Sequence, residues 1–414
     1  MRNVVIIGGG AAGLMAAASC VGAASVTVIE KNTRPARKVM ITGKGRCNVT
    51  NNTDVNALIL NTHRNGKFLY SAFSAFNSQD TMQFFENLGV PLKTERGNRV
   101  FPVSDKAVDI VDALVSAAGK NARIITGEAK EILCKSGAVC GVKLSSGETL
   151  PADAVILATG GKSYPLTGST GDGYELAKAL GHTVTKLTPS LIRLDINEGF
   201  CTPLAGLTLK NVTLSLFKSG VKKPVYKELG ELLFTHTGIS GPLTLSASAY
   251  IDGEPREYYA EIDLKPALNF DDLDKRLLRD FSDEKNRDML NALDKLLPKS
   301  IIPVIIGVAG INPRGKVNQL SRADRERLIA SIKNLRVTIK DFGDFDEAVI
   351  TRGGISVKEI NPGDMSSKLV GGLYFAGEII DVDAFTGGFN LQIAFSTGYL
   401  AGKSAANITN ESGK

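Results

Sequence analysis

The chain has 414 residues, of which 43% are apolar and 22% are charged, and its formal net charge is +6. These values are typical of a globular protein with more than one domain, and they exclude fibrous and disordered classes. Its five cysteines form neither a Cys-x-x-Cys pair nor a metal-type cluster, so we expect no metal site and a reduced, cytoplasmic setting.

The N-terminal segment predicts a β-α-β unit. An apolar run from Val4 to Ile7 precedes small apolar residues at helical spacing from Ala11 to Val21, and a second strand follows from Val26 to Ile29. The opening resembles a signal peptide in its apolar character. Glycines at motif spacing and the acid Glu30 favour folded protein instead.

The middle of the chain predicts helices and then strands. Ser78 to Leu88 and Val108 to Gly119 have helical patterns, Arg123 to Leu150 has short strands with turns, and Ala154 to Leu157 is a buried strand. Alternation of apolar and polar residues dominates from Leu191 to Leu264. This pattern predicts a mainly β insertion.

The segment from Asn269 to Asn334 has a helical period, with Ser321 and Asp324 at the spacing of a helix N-cap. Fifteen Lys/Arg and ten Asp/Glu lie between Asn269 and Lys340, so most of the positive charge is found there. A solvated helical face explains this excess better than a nucleic-acid surface, because no basic run is long or interleaved with aromatic residues.

The apolar stretch from Ile301 to Ile311 is too short to cross a bilayer, and we expect no membrane segment.

The strongest motif is Gly8-Gly9-Gly10-Ala11-Ala12-Gly13, which follows a strand and opens a helix. Gly8 permits a tight turn, Gly10 lets the backbone approach a pyrophosphate, and Gly13 lets helix and strand pack closely. At the end of the next strand, Glu30 would accept hydrogen bonds from a ribose, with Lys31 beside it. The motif predicts a dinucleotide site and does not separate NAD from FAD.

Two later segments favour FAD. Gly377 and Glu378 end an apolar strand, where flavoproteins present a carboxylate to the ribityl hydroxyls that NAD lacks. Downstream, a helix begins after Gly387 and Gly388, and its N-terminus with Asn390 and Leu391 could face the flavin ring. No second dinucleotide motif is found, so NAD(P)H would bind transiently as hydride donor, or the protein would be an oxidase.

Two further loops carry candidate cofactor contacts. Small residues follow the strand that ends at Leu157, and a polar, glycine-containing loop runs from Lys38 to Asn52 without a helix or strand period, as ligand-facing loops do. The candidates are Thr159, Gly160, Gly161, Lys38, Thr42, Gly43, Gly45, Arg46, Cys47 and Asn48. For Cys47 a packing role is favoured over a redox role, because no partner cysteine lies at reductase spacing.

Three residues are candidates for catalysis. Arg352 precedes two glycines and could orient an oxyanion or the flavin edge, His236 could transfer protons, and Tyr164 could contact the flavin ring. A turn arginine, a structural histidine and a core tyrosine are the alternative interpretations of the same residues. No sequence-visible partner decides between them.

Six blocks in order resemble the BaiN/YhiN-type FAD flavoproteins, which include an aminoacetone oxidase and a dehydro-bile-acid reductase. They are Gly8 to Gly13 with Glu30, Thr42 to Asn48, Gly160 to Gly173, Thr235 to Pro242, Thr351 to Ile355, and Phe375 to Gln392. The resemblance covers nearly the whole chain. It implies that the glycine, loop and Glu378 residues named above line the FAD and that Ala129 contributes backbone contacts near the adenine.

The resemblance and the patterns together predict an α/β fold with three domains. Residues 1–188 and 341–414 would form a discontinuous Rossmann-like FAD-binding domain, 189–267 an inserted mainly-β domain, and 268–340 a small helical cap. The leading functional hypothesis is NAD(P)H-driven reduction of a conjugated C=C bond in a hydrophobic, bile-acid-like or steroid-like carbonyl substrate. The rivals are oxidation of aminoacetone-like amines by O2 and an FAD-containing nucleic-acid-binding protein.

Overall fold

The structure is a computed structural model that describes residues 2–22, 24–283 and 286–407. Its strands, in chain order, are β1 Arg2–Ile7, β2 Ala24–Glu30, β3 Thr50–Asn51, β4 Thr62–Arg64, β5 Leu92–Glu95, β6 Arg99–Pro102, β7 Ala122–Thr126, β8 Ala129–Lys135, β9 Ala138–Leu144, β10 Thr149–Pro151, β11 Ala154–Leu157, β12 Thr188–Ser190, β13 Leu194–Ile196, β14 Thr208–Lys218, β15 Tyr226–Phe234, β16 Gly238–Ser240, β17 Tyr258–Asp263, β18 Leu335–Phe342, β19 Ile350–Arg352, β20 Leu373–Phe375 and β21 Asp383–Ala384. The helices are α1 Ala11–Ser19, α2 Arg37–Ile41, α3 Val55–Leu60, α4 Tyr70–Ala75, α5 Ser78–Asn87, α6 Ala107–Gly119, α7 Asp172–Ala179, α8 Cys201–Leu204, α9 Pro242–Ser248, α10 Phe270–Asp283, α11 Met289–Ala292, α12 Ile302–Val308, α13 Arg322–Lys333 and α14 Phe389–Ala406.

The chain divides into two compact units, Met1–Pro189 with Phe345–Lys414 and Ser190–Asp344. In the second unit, the residues of the expected β domain and of the expected helical cap share one hydrophobic core. The separation of those two regions into independent domains remains a prediction.

The first unit is built on a parallel five-stranded sheet in the order β20-β11-β1-β2-β7. Strand β1 lies at its centre and is buried from Val4 to Ile7, which explains its uninterrupted apolar sequence. The carboxyl ends of parallel strands meet at one edge, where α/β sheets bind their ligands. The predicted β-α-β opening and the predicted strand Ala154–Leu157 are confirmed.

Helices α1 and α14 cross closely because glycines line their contact. A Cβ atom at Gly398 would lie 2.3 Å from the carbonyl oxygen of Ala12, and one at Gly402 would lie 2.3 Å from that of Ala16. The C-terminal helix is thereby held against the helix that follows the glycine motif. It brings residues near 390 to the same region as residues near 10.

The second unit contains a closed barrel in the order β13-β16-β15-β14-β17-β18. Strand β18, which follows the helical segment, closes the barrel by pairing with β17 and β13. The predicted helix N-cap is confirmed as a full capping box: Ser321 Oγ accepts from the Asp324 N–H, and the Asp324 carboxylate accepts from the Ser321 N–H.

Within the described ranges no helix is both long and apolar enough to cross a membrane. The same ranges contain no group of three or more His, Cys, Asp or Glu arranged to hold a metal ion.

Candidate cofactor site

The glycine motif forms a tight turn between β1 and α1. Gly8 has φ +106°, and a Cβ atom there would lie 2.5 Å from the Ala158 carbonyl oxygen. At Gly13 a Cβ atom would lie 1.9 Å from the Gly8 carbonyl oxygen. Gly10, the N-cap of α1, has open space where its Cβ would be. Two of these glycines therefore serve the packing, and the third leaves room for a ligand at the helix N-terminus.

Glu30, at the end of β2, is fixed beside the glycine turn. Its Oε2 accepts from the Gly9 N–H at 2.8 Å, and its Oε1 accepts from the backbone and side-chain nitrogens of Asn32 at 2.8 and 2.7 Å. The side chain is 8% exposed and forms part of a cavity wall. A carboxylate oriented by three donors is well placed to accept further hydrogen bonds from ligand hydroxyls.

A cavity of about 210 Å³ opens at the carboxyl edge of the sheet, entirely within the first unit. Fourteen of the residues predicted from the sequence line it: Gly8, Gly10, Ala11, Ala12, Glu30, Lys31, Lys38, Thr42, Ala129, Thr159, Gly160, Glu378, Asn390 and Leu391. They come from seven separated segments of the chain. The fold brings together residues that are up to about 380 positions apart in sequence.

Glu378 is the centre of a polar network on the cavity wall. Its carboxylate accepts from Lys38 Nζ at 2.7 Å, from Ser163 Oγ at 2.9 Å and from the Thr351 N–H at 2.8 Å. Thr351 Oγ1 in turn accepts from the Ser163 N–H at 3.1 Å. Glu378 and Lys38 are about one fifth exposed, so the pair is shielded and still reaches the cavity.

The N-terminus of α14 completes the wall. Gly388, with φ +97°, is its N-cap, and the Asn390 side chain joins the helix to β21 by accepting from the Ala384 N–H at 3.0 Å and donating to the Ala384 carbonyl at 2.8 Å. With eighteen residues, α14 directs a partial positive charge at whatever lies before its first turn.

These residues fit FAD. Open space at the N-cap of α1 suits a pyrophosphate, and Glu30 and Glu378 are separate carboxylates for two sets of sugar hydroxyls. Thr159 Oγ1 is buried on the cavity wall and has no hydrogen-bond partner among the described residues, so a bound ligand could supply one. When bound, FAD supplies two-electron redox chemistry.

Comparison with known proteins agrees with this geometry. The family model described as "HI0933-like protein Rossmann domain" matches residues 2–404. The chain belongs to this family.

The HI0933-like chain matches curated relatives over nearly its full length. It is 32% identical over 413 residues to the 3-dehydro-bile acid delta(4,6)-reductase of Clostridium scindens, covering 98% of this chain and 99% of that protein. It is also 30% identical over 399 residues to the ribosomal RNA dihydrouridine synthase of Escherichia coli, covering 96% of each. The synthase of the same name from Haemophilus influenzae is 32% identical, covering 95% of this chain and 96% of that one.

Solved structures show the same fold. A flavocytochrome c3 fumarate reductase in its open conformation aligns with TM-score 0.52 and 18% identity, covering 98% of this chain and 78% of the other. The E. coli quinol fumarate reductase subunit FrdA aligns with TM-score 0.50 and 17% identity, covering 98% and 70%. Family, relatives and fold together make the chain an FAD-dependent oxidoreductase, and the predicted resemblance is confirmed.

Ten predicted cofactor residues of this HI0933-like chain lie outside the described cavity wall: Gly13, Gly43, Gly45, Arg46, Cys47, Asn48, Gly161, Gly377, Gly387 and Gly388. Several of these glycines pack against protein instead. A Cβ atom would lie 2.7 Å from that of Ala12 at Gly377, and 2.3 Å from the Thr50 carbonyl oxygen at Gly388. These positions support the wall from behind.

Arg46 pairs with protein carboxylates. Its Nη2 lies 2.5 Å from Glu95 Oε1 and 2.6 Å from Asp105 Oδ1, and the guanidinium stacks over the Phe101 ring at 4.1 Å. The hydrogen bond from Arg46 lowers the pKa of Glu95. A contact between Arg46 and the cofactor would have to compete with this network.

Cys47 is buried and Asn48 is partly buried next to Arg46 in the chain. Burial raises the pKa of the Cys47 thiol to about 12, so the thiol stays protonated at neutral pH. This agrees with the packing role favoured for Cys47. Asn48 Oδ1 is buried without a hydrogen-bond partner among the described residues, and it stays a candidate for a ligand contact.

The three catalytic candidates occupy different settings. Tyr164 is half-buried in the left-handed region (φ +51°), and Arg352 is 7% exposed at the end of β19. His236 is exposed and lies in the second unit, where its carbonyl accepts from Thr202 Oγ1 at 3.0 Å. Their catalytic roles remain proposals.

One segment of the cavity wall, Thr167 to Asp172, was not among the cofactor residues predicted from the sequence. Lys31 Nζ holds it by donating to Thr170 Oγ1 at 2.5 Å and to Asp172 Oδ2 at 2.7 Å. The run of Gly, Ser and Thr in the block that begins at Gly160 is the sequence feature that could have identified this segment. Val349, Ile350 and Val382 also line the wall, and apolar residues in strands carry no distinguishing pattern.

Proposed function

We propose that the chain reduces a C=C bond conjugated to a carbonyl, with NAD(P)H as the hydride donor to the bound FAD. The full-length match to a 3-dehydro-bile acid delta(4,6)-reductase carries the proposal. The names of the other curated relatives support the same reaction class, because the ring C=C bond of uracil is conjugated to a carbonyl and its saturation gives dihydrouridine.

The protein's part in this reaction is to hold and orient the cofactor and the substrate carbonyl. We propose that Glu378, which accepts hydrogen bonds from Lys38 and Ser163, binds the cofactor's hydroxyls. The N-terminus of α14 favours negative charge before its first turn. We propose Arg352 as the group that orients the substrate carbonyl, with Tyr164 and His236 as the candidates for proton transfer to the substrate carbon.

For the substrate, our first proposal is a hydrophobic carbonyl compound of the bile-acid or steroid class. Arg279 and seven further basic side chains of the helical segment form ion pairs with carboxylates, which supports a solvated face over a surface for nucleic acid. The seven are Arg276, Arg287, Lys316, Arg322, Arg325, Arg327 and Lys333.

Uridine in ribosomal RNA is the second candidate substrate, and the names of two relatives favour it.

The free cysteines Cys134 and Cys140, both exposed, support the proposed cytoplasmic location, where thiols stay reduced.

The test is anaerobic reduction of the yellow holoprotein by NADH or NADPH, followed by addition of one acceptor at a time. The acceptors are a conjugated dehydro bile-acid ketone, its saturated counterpart as control, a uridine-containing rRNA transcript, and air. Reoxidation that is faster with the conjugated ketone than with its saturated counterpart or air supports the first proposal.

The other outcomes decide among the rivals. Dihydrouridine in the transcript, with no turnover of the ketone, would assign the RNA substrate. If neither nucleotide bleaches the flavin while aminoacetone does, and air restores the colour, the protein is an amine oxidase and the reductase proposal fails.

A further inference from the structure

Four charged side chains lie close together beside the cavity wall, and three of them are buried. Asp381 and Asp383 are 4% and 1% exposed and flank Val382, which lines the cavity. Arg64, whose side chain is 38% exposed, places Nε 2.7 Å from Asp381 Oδ1, and the buried Arg352 adds a second guanidinium whose charge acts on Asp383.

Asp383 is unusual within this cluster. Neither of its carboxylate oxygens has a hydrogen-bond partner among the described residues. Its backbone is fixed by pairing with Arg64 on β4, and the next residue, Ala384, is held by Asn390 of the cavity wall. A buried carboxylate without hydrogen bonds is costly, and such groups are found mainly where their titration is used.

We propose that the Asp383 carboxyl takes up a proton when the bound FAD is reduced and releases it when the FAD is reoxidised. The proposal rests on FAD binding and is independent of the substrate, so it holds for a reductase and for an oxidase alike.

The charge balance explains the coupling. A hydride donor such as dihydronicotinamide gives two electrons and one proton to the cofactor and is itself oxidised, so the net charge of the cofactor falls by one. Negative charge next to a buried carboxylate disfavours its ionised form. A proton from solvent then binds an Asp383 oxygen and restores the balance. Reoxidation by the acceptor removes the added charge, and the proton returns to solvent.

The groups around Asp383 place its titration near neutral pH. Burial raises its pKa to about 6, against the lowering effects of Arg352 and Arg64, and Asp381 raises it further. On β4, the neighbouring His63 is exposed, and α14 contributes the uncharged Asn390. An added charge on the cofactor raises this pKa further. Proton uptake on reduction is therefore expected between pH 6 and the higher pKa that Asp383 has when the cofactor is reduced.

The cofactor wall and the buried tyrosine near this cluster carry the remaining titratable groups. Glu378 faces the cavity and is paired with Lys38. Burial, with Glu378 and Asp381, raises the pKa of Tyr174 above its usual range, so it stays protonated throughout. Asp383 is therefore the group of this region that we expect to change protonation.

The test is infrared difference spectroscopy of the holoprotein at pH 7, recorded on reduction by dithionite and on reoxidation. The expected result is a carbonyl band of a protonated carboxylic acid that appears on reduction, shifts in D2O and is absent in Asp383→Asn. The pH dependence of the FAD midpoint potential should show one proton more per two electrons in the wild type than in the variant. Asp112→Asn, which removes an exposed carboxylate that pairs with Arg34 on the surface, is the control that should keep both signals.

Either of two results overturns the proposal: no carboxylic acid band in the wild type, or a band that remains in Asp383→Asn. If Asp383→Asn does not bind FAD, Asp383→Glu keeps the proton-binding group and decides. The band should then persist at a shifted frequency, and an unshifted band would assign the proton to another carboxyl group.

Discussion

The two glycines Gly10 and Gly13 lie three residues apart, and the structure predicts opposite effects of changing each to alanine. A Cβ atom at Gly13 would lie 1.9 Å from the Gly8 carbonyl oxygen. That contact is with backbone and cannot be relieved by a side-chain rotation. At Gly10 no atom lies within 4 Å of the Cβ position, and its φ of −83° and ψ of −169° suit alanine.

For Gly13→Ala we expect a loss of about 3 kcal/mol or more, at the upper end of overpacking costs, since helix and strand must separate. At roughly 2 to 4 °C per kcal/mol for a unit of this size, the apoprotein should melt about 6 to 12 °C lower. For Gly10→Ala the apoprotein should melt at the wild-type temperature or slightly above, because alanine at a compatible glycine position stabilises by about 0.4–1 kcal/mol.

FAD affinity separates the two variants further. The Gly10→Ala methyl group enters the space left for the pyrophosphate, and a cost of about 1–3 kcal/mol corresponds to a roughly 5- to 150-fold weaker Kd. Thermal unfolding of the two apoproteins and fluorescence titration with FAD measure both effects. If Gly10→Ala bound FAD as tightly as wild type, or lowered the melting temperature as much as Gly13→Ala, the assigned roles of the two glycines would be refuted.

Two further predictions concern buried titratable groups. Cys134 and Cys140 are exposed, whereas Cys20, Cys47 and Cys201 are buried, and burial raises the pKa values of Cys20 and Cys47 to about 12. Two thiols should therefore react rapidly with Ellman's reagent at pH 8 and all five after unfolding; fast labelling of Cys47 in the folded protein would contradict this. The raised pKa of Asp383, from 3.8 to about 6, means that the folded state of the apoprotein holds this proton more tightly than the unfolded state. Stability from this group is present below pH 4 and is lost as pH rises through 6, so Asp383→Asn should gain about 2 kcal/mol relative to wild type between pH 4 and pH 7 in urea unfolding. An unchanged difference between those pH values would mean that Asp383 is not perturbed.

The glycine turn, Glu30 and Glu378 could be predicted because their chemistry is local. Each stands at the end of a short apolar strand, and a parallel sheet collects such ends at one edge. The capping box at Ser321 is local in the same way. The barrel was only partly predictable: alternation predicted its strands, but closure by β18 depends on pairing across more than seventy residues, and the short helices α8 and α9 interrupt the β pattern.

Arg46 shows why a loop of polar residues does not reveal its own partners. Its sequence context, among glycines and Asn48, is typical of a ligand-facing loop. Its observed partners, Glu95 and Asp105, lie 49 and 59 positions away. A cation can satisfy a protein carboxylate or a ligand with the same geometry, so only the fold decides which of the two it meets.

Asp383 is the opposite case, because the sequence around it contains an informative alternation of acids that none of the predictions above used. The stretch Ile380 to Ala384 has two acids alternating with apolar residues, which is typical of a strand with one solvated face. In the structure neither set of side chains is solvated: Val382 lines the cavity, and the two acids on either side of it in the chain are buried. Acids at every second position in a segment that follows a cofactor-binding carboxylate can therefore indicate buried carboxyl groups that take up and release protons beside the cofactor. Distinguishing that from a surface strand requires knowing that β4 and β19 supply arginines to the same space.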